Sequence, residues 1–262
     1  MADRGILSFL KDRARRWAAF VHLLGSAIVI SVIVIVVLNQ WYPFPYNNAM
    51  GVNRILFILV SCDLLIGPLL TFLVFDTKKA SLKLDLSAII LVQVIALIYG
   101  VHSIYIARPA FLVFNIDMFT VVTRLDLVPS HPEKFPFEKK GVPGPQFIGA
   151  MRPGSQTERD AILYSSTHGG ADLPQMTKYF RPYSELSSEA VSHGRPLDKL
   201  LAVGSTKEDL VTGTKINRIL KEKGLLASEV LFVPMKAKVR DLTVLIRKVD
   251  GSIVDTIDVE PW

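Results

Sequence analysis

The chain has 262 residues, half of them hydrophobic, with a mean hydropathy of +0.36 and a formal net charge of +6. That charge excludes a nucleic-acid surface as its simplest meaning: residues 107–262 carry 21 lysines and arginines against 19 acids, so most of the excess lies in residues 1–106, beside apolar runs. The lone cysteine, Cys62, excludes an intrachain disulfide.

Three runs in the first 106 residues are long enough to span a membrane: Trp17 to Leu38, Ile55 to Phe75 and Leu84 to Ile106. At ~1.5 Å per residue, each crosses the roughly 30 Å hydrocarbon layer. Residues 1–16 hold Arg4, Lys11, Arg13, Arg15 and Arg16, which predicts a cytoplasmic N-terminus. Lys78, Lys79 and Lys83 place the loop between the second and third runs on the same side. The first run is about twice the length of a signal-peptide core, and NQWYPFPY follows it in place of a cleavage site, so it reads as an uncleaved anchor. The loop NQWYPFPYNNAMGVNR, rich in proline and asparagine, is expected outside and without regular structure. Three crossings put residues 107–262 outside as well. The domains expected are therefore 1–16, a cytoplasmic segment; 17–106, a three-helix membrane unit; and 107–262, an exported domain.

The second run is the unusual one, because ILFILVSCDLLIGPLLTFLVF carries Asp63 near its middle. A carboxylate at that depth is costly and must face other helices, a polar cavity or a proton. Four residues on, Pro68 cannot donate to the carbonyl of Leu64, and Gly67 admits a close backbone neighbour. Depth counting places Ser31 and Asp63 near one level, with Ser26 and Gln93 one to two turns deeper. Three readings of this polar layer stay open: groups that satisfy one another inside the bundle, a contact to a second membrane protein through Asp63 or Gln93, and an ion or proton path.

Beyond the third run, FLVFNIDMFTVVTRLDLV predicts one or two strands. A proline-rich loop over 129–145 follows, then helical candidates at Thr157 to Ser165, Met176 to His193 (interrupted by Pro182) and Ser205 to Lys223. Ser205 with Glu208 makes a capping box for the last of these, and Gly224 closes it. Two apolar runs flank Asp250-Gly251, a strong hairpin signal. The fold class expected is a membrane protein with three transmembrane α-helices and a C-terminal α+β domain with a small antiparallel sheet and terminal hairpin.

Chemistry-bearing motifs are absent from the sequence: it has no Walker loop, GxGxxG, HExxH, CxxC or GxSxG, and His22, His102, His131, His168 and His193 lack metal-ligand spacing. A non-catalytic protein without metal or cofactor is expected. The runner-up is a membrane-anchored ligand-binding sensor or a non-catalytic subunit of a membrane enzyme, against which stands the small cytoplasmic content.

WYP after the first run, CDLLIGPLLTFLVFD in the second, KKASLKLDL leading into a third with an internal glutamine, then RPAFLVFNIDMF, together resemble the type IV pilin accessory proteins of the TfpX/TfpZ, or FimB-like, family. YFRPYSEL, RPLDKLL and the closing block through Pro261-Trp262 extend the resemblance along nearly the whole chain. The matching positions are Asp63, Gly67, Pro68, Asp85, Arg108, Pro109 and Asp117, none with a catalytic role. The resemblance implies a bacterial inner-membrane protein with a periplasmic C-terminal domain, an accessory or chaperone-like factor in type IV pilus biogenesis. The partners it implies are the major type IV pilin, through its membrane helix and periplasmic head, other pilus assembly proteins and the lipid bilayer. On that basis Asp63, Gly67, Pro68, Gln93 and Ser31 are the candidate partner-binding residues.

Overall fold

A computed structural model describes residues 12–128, 144–201 and 207–262, and divides them into two compact units. Most of the proline-rich loop, 129–143, and the capping side chains of Ser205 and Glu208 lie outside the described residues.

One unit holds three helices, each long and apolar enough to cross a membrane: Arg13–Trp41, Val52–Val74 and Leu82–Ile106. Their outward faces are lined by exposed Ile28, Val32, Phe57, Leu65, Val92 and Ile98, side chains suited to lipid and not to water. The second helix is continuous through Gly67-Pro68 because it widens into a π turn at Cys62–Ile66, just before the proline. Such a turn absorbs the missing N–H and the clash of the ring with the preceding carbonyls, so proline perturbs the helix without ending it.

The other unit is formed by residues 107–262 together with Gln40–Gly51, the segment that joins the first two helices. Its centre is an eight-stranded mixed sheet, ordered β4-β3-β1-β2-β6-β7-β8, with β5 pairing β6. The strands are β1 Pro109–Asn115, β2 Met118–Thr123, β3 Gln146–Ala150, β4 Phe180–Pro182, β5 Arg195–Pro196, β6 Val230–Lys236, β7 Leu242–Arg247 and β8 Ile253–Ile257. The expected small antiparallel sheet is thereby corrected. β1 and β2, β6 and β7, and β7 and β8 are antiparallel neighbours, but β1 pairs β3 in parallel and β2 pairs β6 in parallel. Hairpins are announced by local turn chemistry, whereas the β2–β6 pairing joins segments more than a hundred residues apart and has no local signature.

Burial on both faces explains why the central strands read as unbroken apolar runs. Leu112, Phe114, Val233, Met235, Val244 and Ile246 point to one face, under the helices Tyr46–Met50 and Ser187–His193. On the opposite face, Phe232 and Leu245 pack beneath Leu197–Leu201 and Lys207–Lys223, and Phe111 and Val113 pack with Leu173 and Phe180. Helix Gln156–Thr167 forms close to where it is expected. The candidate over Met176 to His193 forms only its last turns, because Phe180–Pro182 is taken by β4.

The loop after the first helix differs most from expectation. It forms the short helix Tyr46–Met50, closed by Gly51 at φ 74°, where a side chain would also press on Val239. Tyr46 and Ala49 are buried in the main core, the Tyr46 hydroxyl donates to Thr256 Oγ1 at 3.2 Å, and Asn48 Nδ2 donates to Asp258 Oδ2 at 3.0 Å. The loop and residues 107–262 therefore form one folded unit, the arrangement expected if the two helices between them each cross a membrane.

Burial raises the Tyr46 phenol to about 12, with the Thr256 hydrogen bond opposing that shift. Its folded value thus lies above the unfolded value of about 10, so its contribution to stability is complete below pH ~10 and lost as pH rises toward ~12. Tyr46→Phe is expected to blunt alkaline unfolding between those limits. At neutral pH it should cost only about 0.5–1.5 kcal/mol for the lost hydrogen bond. Circular dichroism of the full chain in detergent, titrated from pH 8 to 12, checks both; an unchanged alkaline midpoint counts against the assignment.

Candidate functional site

The site is built within the three-helix unit. The first helix packs along Gly67–Val74 of the second, and the third packs on the same helix, so the second lies at the back of the other two. Two glycines set the approach of the third helix: a Cβ at Gly67 would collide with the Gln93 amide, and one at Gly100 would come within 2.7 Å of Leu59 Cδ1. At the end carrying the basic residues, Arg15 Nη2 meets Asp76 Oδ2 at 3.4 Å and Arg15 Nη1 donates to the Leu73 carbonyl at 3.2 Å. That antiparallel register carries His22 to Thr71, whose Oγ1 lies 2.6 Å from His22 Nδ1.

In front of the second helix, the first and third leave a groove of about 620 Å³. Its walls include Gly25, Ser26 and Val29 from the first helix and Ile90, Gln93 and Val94 from the third; Asp63 and Thr71 form its floor. Lining residues on the first helix run from Ala14 to Ile30, roughly 24 Å at the α-helical rise, close to the thickness of a bilayer core. A Cβ on Gly25 would meet nothing within 4 Å beyond its own helix, so no neighbour in the unit requires glycine there. Asp63 is only 7% exposed and accepts no hydrogen bond from the described residues. Gln93 Oε1 is likewise buried without a partner.

Of the residues singled out from sequence, Asp63 and Gln93 come together at the groove. Gly67 lies buried beneath Gln93, Pro68 is half-buried behind the π turn, and Ser31 is exposed outside the groove, where Ser26 takes the position on its wall. His22, Thr71 and Gly25 were not foreseen. The register set by Arg15 and Asp76 is the sequence signal that finds His22 with Thr71; nothing local distinguishes Gly25 from the other glycines. Among the described residues, no group of three or more His, Cys, Asp or Glu side chains is placed to hold a metal ion.

Three helices long and apolar enough to cross a membrane, with Asp63 and Thr71 on the floor of their groove, and a second, mixed-sheet unit mark the chain as one that associates with a membrane. The model of the family described as fimbrial assembly protein FimB matches residues 9–51. A fimbrial assembly protein of Dichelobacter nodosus, serogroups C1 and C2, is 36% identical over 110 residues, covering 41% of this chain and 84% of the relative. The serogroup I protein of the same organism is 27% identical over 218 residues, 82% of this chain and 83% of the relative. The serogroup E1 protein is similar to the same extent. No solved structure matches. The chain belongs to the FimB family of fimbrial assembly proteins.

Proposed function

We propose that this protein acts in type IV fimbrial assembly as an inner-membrane, chaperone-like factor that holds the major pilin before polymerisation. The observation that carries this reading is the groove: its lining runs roughly 24 Å along the first helix, its walls are mainly apolar, and Gly25 leaves room there that no neighbour in the unit fills. The resemblance implies a pilin held in the membrane by one hydrophobic helix with its head outside. The groove takes the helix, and the mixed-sheet unit, on the periplasmic side, contacts the head. Two contacts on one partner raise effective concentration, so neither needs to be tight alone. The relatives' printed names support the assembly role.

The test is photo-crosslinking in fimbriated cells from a photoreactive residue at Val94, on the groove wall. Capture of the major pilin is the expected result. Capture of lipid alone, with pilin absent at Val94 and also at Val29, removes the groove from the assembly role.

A further inference from the structure

The Asp63 carboxyl lies on the floor of the groove and accepts no hydrogen bond from the described residues, whereas Gln93 Oε1 is buried against Gly67, also without a partner. His22 Nδ1 and Thr71 Oγ1, which line the same groove, hold each other. A carboxyl keeps an acceptor oxygen whether ionised or protonated, so Asp63 wants a donor in either state. Its depth limits what can supply one. Asp63 stands eleven residues from each end of Val52–Val74, roughly 16 Å from either boundary, beyond the reach of lipid headgroups. At that level a side chain or terminus carried into the membrane by a polypeptide can supply one.

We propose that Asp63 is the recognition group of the groove, accepting a hydrogen bond from a donor, neutral or cationic, that a partner's membrane helix carries at mid-depth beside a face that fits against Gly25. The inference rests on the groove reading above and adds the chemistry by which the occupant is selected. An acyl chain could fill the volume but would leave the Asp63 acceptor bare, which in a bilayer is the costly arrangement.

The same crosslink from Val94, in the full-length protein in its native membrane and normalised to abundance, tests this. Asp63→Leu is expected to lower capture about tenfold with abundance unchanged, and Asp63→Asn, which keeps an acceptor oxygen, to stay within about twofold of the parent. An equal fall in Asp63→Asn at normal abundance also supports the assignment and marks the donor as a cation. Undiminished capture in Asp63→Leu overturns it, as does parallel loss of abundance and capture in that variant, or capture of only a second copy of this chain. Pilin capture that ignores Asp63 overturns this inference and leaves the proposed function standing. Asp63-dependent capture of a different membrane polypeptide does the reverse.

Discussion

Gly25→Leu is expected to abolish surface fimbriae while leaving the protein's own abundance at the parental level. A side chain at this position points into the groove, where no atom beyond its own helix lies within 4 Å of the new Cβ, so the bundle need not move to admit it. Leucine in place of a helix-interior glycine gains up to about 1 kcal/mol of helix propensity, and an added apolar side chain is welcome in the bilayer. The only thing leucine displaces is whatever occupies the groove. Gly25→Ala should give a graded, weaker defect, since a methyl group takes much less of that space. Counting fimbriae by electron microscopy beside an immunoblot of the protein separates the outcomes, and normal fimbriation in the leucine variant would sink the groove as a pilin site.

Gly67→Leu should fail in the opposite way, with abundance and fimbriae falling together. Here the added Cβ falls on the Gln93 amide, which has to swing aside, and the rest of the leucine must then be fitted between the second and third helices. Overpacking of this kind costs roughly 1–3 kcal/mol even where side chains can adjust, and a three-helix unit has few other contacts with which to absorb it. Gln93→Ala removes the obstructing amide, so whatever abundance Gly67→Ala loses should be partly recovered in the Gly67→Ala/Gln93→Ala double variant. Such coupling is the mark of direct contact. Equal loss in the single and double variants would mean that Gly67 serves something other than the approach of the third helix.

These two glycines mark the boundary of what one-dimensional reading resolves. Both sit in apolar helices, and each by itself signals only permission for close approach. One is closed by Gln93 and the other is open, and that difference lies in neighbours on other helices. Asp63 was conspicuous because a carboxylate inside an apolar run is expensive wherever it sits, and Gln93 was conspicuous for a similar reason. Depth counting, however, treats each helix as a ruler and ignores which way a side chain faces. It therefore paired Ser31 with Asp63, whereas rotation of the first helix puts Ser26 on the groove wall and leaves Ser31 exposed.

The mixed-sheet unit divides along the same line. Local chemistry was enough for the three spans, the strands around Phe111 and Val244, and the Asp250-Gly251 hairpin, because apolar length, β-branched runs and turn residues act over a few positions. Parallel pairing of β1 with β3 and β2 with β6, and the recruitment of Gln40–Gly51 into the core, depend on groups brought together across long stretches of chain. Tyr46 meets Thr256, 210 positions away, and the loop that proline and asparagine made look irregular becomes a helix because the sheet offers its apolar face somewhere to be buried. Transfer out of water decides that a residue is buried; only the packed fold decides against what.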